Sequence, residues 1–139
     1  MFSKILVPVD LEHADKLTAP LQVAADLTKT YGCGLCYVGV TAVGPGTVAH
    51  NPVEYADKLA AFAAWQAALA GIEASSHAVV THDPAVDMDA ALVQAVADIE
   101  ADLVVMASHI PNVADHLWPS HGGQLVRQSA ASVFLVRAS

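Results

Sequence analysis

Apolar positions along the chain fall into two alternating patterns. Short runs rich in β-branched residues occur at Ile5-Leu6-Val7-Pro8-Val9, Leu35-Cys36-Tyr37-Val38-Gly39-Val40, Ala78-Val79-Val80, Leu103-Val104-Val105-Met106 and Val133-Phe134-Leu135-Val136. Most are apolar on both faces, the signature of parallel strands covered from both sides. Pro8 cannot donate to a ladder, so it marks the point where the first strand leaves the sheet.

Helical patterns lie between these runs. Asn51-Pro52-Val53-Glu54 combines an N-cap, a first-turn proline and an acid three residues on, and Tyr55, Leu59, Phe62 and Leu69 follow at helical spacing up to Gly71. Asp83-Pro84 opens another helix carrying Met88, Leu92, Ala95 and Ile99. A first helix lies within Ala14 to Tyr31, with Pro20 near its start or kinking it. The last follows Trp118-Pro119 and runs to about Ser129. Many of the 27 alanines sit in these helices, where small side chains permit close packing on a sheet. The long irregular stretch Thr41 to His50, with Gly44-Pro45-Gly46, reads as an exposed functional or interaction loop.

Alternation of this kind predicts an α/β sandwich with right-handed crossovers around a parallel sheet. Ligands of such sheets bind beyond the C-terminal strand ends, where strand order reverses. If the first and fourth strands are neighbours there, the site comprises Asp10 with Ala107, Ser108 and His109. The start of the last helix, near Ser120 and His121, then faces it.

Composition narrows the function classes. At 139 residues the chain is expected to form one domain spanning residues 1–139, and 55% apolar with 14% charged residues excludes a disordered tail. No apolar run approaches the ~18 residues of a membrane helix. Met1-Phe2-Ser3-Lys4 lacks a signal-peptide pattern, so a cytoplasmic location is expected. The net charge of −8 is uneven: between Lys58 and Arg127 there are eight acids and no Lys or Arg. Without a basic patch, binding to nucleic acid or to anionic lipid is disfavoured. A small ligand, a protein partner or self-association remains.

Several residues invite chemistry. Cys33-Gly34-Leu35-Cys36 is a C-x-x-C, but it enters a strand rather than opening a helix and has no second pair, which favours core packing over redox or zinc binding. Of the seven histidines, His109, His116 and His121 form the one group of three near one another in sequence. Their spacing matches no single helix face, so solvated histidines are favoured over a metal site. Ser108, His109 and Asp10 lack the G-x-S-x-G elbow of a hydrolase, and Asp10 has an alternative role as a helix cap.

Ile5-Leu6-Val7-Pro8-Val9-Asp10 resembles the opening of the universal stress protein family. So do Asp83-Pro84, Ala101-Asp102-Leu103-Val104-Val105-Met106-Ala107-Ser108-His109 and the ending Ser132-Val133-Phe134-Leu135-Val136, in the family's order across the whole chain. The resemblance implies a five-stranded parallel sheet of order 3-2-1-4-5, in the adenine nucleotide alpha hydrolase-like fold, and a homodimer paired through Val133, Phe134, Leu135 and Val136. It also implies a stress-response role with ATP or AMP as ligand, and Mg²⁺ accompanying ATP. The implied binding residues are Pro8, Val9, Asp10, Val40, Ala107, Ser108, His109, Ser120, His121 and Gly122, with Asp10 and Val40 lining the adenosine pocket and Ser108, Ser120 and His121 nearer the phosphates. The ATP-binding pattern G-x-x-G-x9-G-[ST] is degenerate, however, with Ala107, Ile110, Ser120 and His121 at its matching positions. Ala107-Ser108-His109-Ile110-Pro111 is similar instead to an Ala-Ser-x-x-Pro variant of this loop, and Gly122-Gly123 lies just beyond. Nucleotide binding therefore stands beside a second expectation, a homodimeric interaction module without ligand or enzymatic activity.

Overall fold

A computed structural model describes residues 1–109 and 121–137. Five strands form one parallel sheet: β1 (Lys4–Pro8), β2 (Gly34–Ala42), β3 (Ala74–Thr81), β4 (Leu103–His109) and β5 (Ser132–Arg137), in the order β3-β2-β1-β4-β5. The connecting helices are α1 (Thr18–Tyr31), α2 (Pro52–Ala70), α3 (Pro84–Ile99) and α4 (His121–Gln128). Right-handed crossovers put α1 and α2 on one face and α3 and α4 on the other. The expected fold class and strand order are those observed.

Local chemistry accounts for most element ends. The Asn51 side chain accepts from the Glu54 amide at 2.8 Å and Asp83 accepts from Ala85 at 3.2 Å, each just ahead of a proline in the first turn. α2 ends on Gly71 at φ +68, where an L side chain would be strained. α3 ends the same way on Glu100 (φ +57), a residue that carries no such signal in the sequence.

The first helix lies within its expected span with Pro20 in its first turn, and the chain enters it through a 3-10 segment, Leu11–Lys16. Two expectations need correction. β3 starts at Ala74, four residues before its apolar run, because backbone pairing with β2 does not require apolar side chains there. Leu69, expected on the packed stripe of α2, is 65% exposed beside exposed Trp65, whereas Tyr55, Leu59 and Ala63 are buried.

The core lies along β1, β2 and β4, where Ile5, Leu6, Leu35, Val38, Val104 and Val105 are all essentially inaccessible. β1 pairs with β2 from Lys4 to Pro8 but with β4 only at Ile5–Leu103 and Leu6–Val104. The seam between the two halves of the sheet is therefore short. A clasp extends it at its N-terminal end: the Asp102 carboxylate accepts from the Ser3 and Lys4 amides at 2.9 and 3.0 Å and from the Ser3 hydroxyl at 3.0 Å. Partial burial pushes this carboxyl up, but these donors outweigh it and hold it below the usual carboxylate value.

Candidate functional site

Pro8 ends β1, yet the next residue still reaches the sheet, its amide donating to the Val38 carbonyl at 2.8 Å. Val9 is buried and Asp10 is where the chain turns away. Asp10 caps the 3-10 segment: Oδ1 accepts from the Glu12 amide at 3.1 Å, while Oδ2 lies 2.8 Å from His13 Nδ1. That hydrogen bond to Asp10 raises the His13 pKa, against the lowering effect of burial.

A cleft of about 160 Å³ opens at this corner. Asp10 and Glu12 form one side, and Val40, Thr41 and Ala42 at the end of β2 form another. The loop between Val43 and Asn51 closes over it, with Thr47 and Val48 on the wall. That loop is fastened by the Gly46 amide on the Ala49 carbonyl at 2.8 Å, by burial of Ala49 and by the Lys58 ammonium on the Val48 carbonyl. Pro84, at the start of α3, completes the rim.

Tyr55 also lines the cleft. Its ring is 5% exposed and lies against Gly39, where a Cβ would come within 2.2 Å of the hydroxyl. Glycine is thus required at this point of β2 for the ring to sit as it does. Burial, reinforced by the Asp10 charge, raises the Tyr55 pKa, keeping the phenol protonated. The buried ring thus shares the cleft with Asp10 and Glu12.

The structure places the expected residues unequally. Pro8, Val9, Asp10 and Val40 gather at the C-terminal ends of β1 and β2, and Asp10 and Val40 line the cleft. Ala107, Ser108 and His109 end β4, the strand on the other side of β1, with a bulge in the β4–β5 register between Ala107 and His109. His121 and Gly122 stand in the first turn of α4. Ser120, with Ile110, Pro111 and His116, lies outside the described residues. Glu12, His13, Tyr55 and Pro84 were not anticipated at the site. The Asp10-x-Glu12-His13 spacing, coupled with the capping role of Asp10, is the sequence signal that brings the first two in.

Other candidates lose ground. Burial raises the pKa of both Cys33 and Cys36, and Cys36 is 2% exposed within β2, which suits packing and not thiolate chemistry. A larger groove of about 500 Å³ runs between α1 and α2 past Leu21, Phe62, Trp65 and Leu69. Its lining is mainly apolar and presents no convergent set of titratable groups.

Comparison with known proteins is decisive for the family. A model of the universal stress protein family matches residues 1–137. The chain belongs to the universal stress protein family. None of the curated protein sequences matches it. Among solved structures, a universal stress protein in complex with cAMP is 18% identical with a TM-score of 0.70, covering 99% of each chain. The Archaeoglobus fulgidus universal stress protein in complex with dAMP is also 18% identical, with a TM-score of 0.64 and 96% of each chain covered. A family member from Arabidopsis thaliana with AMP bound is 10% identical, with a TM-score of 0.63, covering 99% of this chain and 92% of that one. At these identities the likeness establishes the shared fold.

Proposed function

We propose that this universal stress protein is a stress-response protein that binds an adenine nucleotide at the C-terminal ends of β1 and β4 and carries out no reaction of its own. The observation that carries this reading is the cleft lined by Asp10 and Val40, at the C-terminal ends of β1 and β2 and next to the β1–β4 boundary where strand order reverses. Fold relatives bound to cAMP, dAMP and AMP give it support. In this reading Pro8, Val9, Asp10 and Val40 hold the adenosine. The Asp10 carboxylate accepts from ribose hydroxyls or the exocyclic amine, and the Tyr55 hydroxyl donates. Ala107, Ser108, His109, Ser120, His121 and Gly122 serve the phosphate.

Size and charge favour a small nucleotide. The cleft is below the ~300–1,000 Å³ of pockets that enclose whole ligands, so it takes one moiety and leaves the rest to the β4 side. Asp10 and Glu12 repel phosphate, and Arg127 is the one Lys or Arg between Lys58 and Arg137. AMP and cyclic or deoxy monophosphates are accordingly better matched than ATP, which would need Mg²⁺ to offset its charge. Calorimetric titration tests this: AMP binds saturably, Asp10→Ala weakens it by about tenfold or more, and a flat trace at millimolar AMP refutes it.

The interaction-module reading has one observation of its own. β5 is an edge strand with Phe134 and Leu135 44% and 49% exposed. Such an edge suits pairing with a second copy through Val133 to Val136, and we propose a cytoplasmic homodimer of single-domain subunits. Native mass spectrometry reads subunit count and retained ligand together. Leu135→Glu converts the dimer to monomer, and a wild-type chain that is monomeric at micromolar concentration rules the dimer out.

A further inference from the structure

We propose that Asp10, Glu12 and His13 form a binding site for a divalent transition-metal ion of the zinc class, at the rim of the Tyr55 cleft. The donor atoms of the three side chains all lie within 4.8 Å of one another. His13 Nδ1 and Asp10 Oδ2 are 2.8 Å apart. Two ligands bonded at ~2.0–2.2 Å to one tetrahedral ion stand roughly 3.3–3.6 Å apart, so this pair needs to open by only about half an ångström to reach a metal's bite. Glu12 is exposed and its side chain is free to swing in, because only its backbone amide is tied to Asp10.

The chain geometry makes the cluster a chelate. Asp10 is fixed at the end of β1 by the sheet and by its own cap, and the 3-10 turn carries Glu12 and His13 back past it. At His13 the backbone departs from helix (φ −121, ψ 28), which separates it from the helical path of its neighbours. One imidazole with two carboxylates selects a borderline ion over a hard one. Mg²⁺ and Ca²⁺ prefer all-oxygen shells of six or more ligands, whereas nitrogen and oxygen donors in threes suit Zn²⁺. Two carboxylates and a neutral imidazole balance the charge of such an ion.

A second observation concerns the open coordination position. Three protein ligands leave room for water or an anionic ligand group, as in open zinc sites. Asp10 and Glu12 line the cleft together with Tyr55. That hydroxyl belongs to a side chain only 5% exposed and has no hydrogen-bond partner among the described residues. That donor is open to the cleft, where a metal-bound water or anion would accept from it. Among the described residues the other histidine–carboxylate pairs, His50–Glu54 at 3.2 Å and His77–Asp98 at 3.9 Å, supply two donors each and close no such group.

The test uses the full chain, stripped of metal and nucleotide, titrated with Zn²⁺ by calorimetry and with Co²⁺ by visible absorption. Wild type takes up an equivalent of Zn²⁺ that excess Mg²⁺ does not displace, and shows a Co²⁺ band. His13→Ala loses that equivalent and the band, or weakens it by at least ~10–100-fold, the range that loss of a mere supporting partner already costs. Glu12→Gln, whose side chain holds nothing else in place, weakens binding without altering the melting temperature. It keeps the test valid should His13→Ala fold poorly. His50→Ala binds as wild type does. Unchanged stoichiometry and affinity in both His13→Ala and Glu12→Gln, or a wild-type chain that takes no Zn²⁺, overturns the proposal. Nucleotide binding is separately readable, since His13→Ala is expected to retain AMP while Asp10→Ala loses both ligands.

Discussion

Gly39→Ala is the sharpest test of how the cleft is built. The added Cβ would meet the Tyr55 hydroxyl at 2.2 Å and ring carbons Cε1 and Cζ at 3.0 Å, where ordinary contact begins at 3.4 Å. The ring must therefore retreat by about 1.2 Å, the difference between 3.4 and 2.2 Å. β2 cannot yield instead, because it is paired on both sides, with β1 up to Val38 and with β3 at Gly39 itself. Overpacking of this kind costs ~1–3 kcal/mol. Alanine recovers up to ~1 kcal/mol by stiffening the unfolded strand. The net loss expected is about 1–2 kcal/mol, roughly 3–8 °C in Tm for a domain of this size. Tyr55→Phe alone should be neutral within ~0.5 kcal/mol, since the hydroxyl it removes has no protein partner among the described residues. In the Gly39→Ala background it removes the worst contact and should restore part of the loss. Urea denaturation of the four proteins gives the coupling directly, expected at about 1 kcal/mol. A neutral or stabilising Gly39→Ala, or zero coupling, refutes the packing argument and the placement of Tyr55.

Three further outcomes follow from single residues. Asp102→Ala removes the clasp on Ser3 and Lys4 and should cost about 1–2 kcal/mol, a charged hydrogen-bond value discounted for exposure. Because the folded carboxyl sits below its ordinary value of 3.8, that contribution is fully present above pH 4 or so and fades as pH falls through the depressed value. Denaturation curves should thus separate wild type from Asp102→Ala at pH 7 and converge in acid, and a gap that widens in acid contradicts the clasp. Thr28→Val should stabilise by about 1 kcal/mol, because the Thr28 hydroxyl is buried without a partner among the described residues; a loss of more than ~1 kcal/mol would reveal a bond to it. Cys33 and Cys36 should react with a thiol reagent at neutral pH far more slowly than in urea, and equal rates would restore the redox reading.

Much of the fold is legible in the chain because its signals are local. Asn51 and Asp83 each announce a helix through a cap and a proline, and Gly71 announces an end. Two-sided apolar runs reveal parallel strands, and the family motifs supply their order. What was hidden depends on tertiary context. Glu100 takes a left-handed cap without being glycine, and Leu69 continues a helical stripe past the point where the sheet stops covering it. Family position pointed to Asp10 and Val40, and both line the cleft. Glu12 and His13 were not legible, because a 3-10 turn brings together residues that look like an ordinary polar helix entry. Tyr55 reads as one more core aromatic until Gly39 is seen beneath it.

The short β1–β4 seam also bears on how the protein is made. β1, β2 and β3 pair in chain order and can assemble as synthesis proceeds, but β4 begins at Leu103, by which point three quarters of the sequence has emerged. Until then β1, the central strand of the finished sheet and buried from Ile5 to Pro8, is an open edge with its amides and carbonyls unclaimed along the β4 side. The Asp102 carboxylate, arriving one residue before β4, captures the chain start 98 and 99 residues away and sets the new strand in register beside it. A nascent chain stalled before that residue displays its middle instead of its margin, and so presents its stickiest surface to any chaperone or to another unfinished copy.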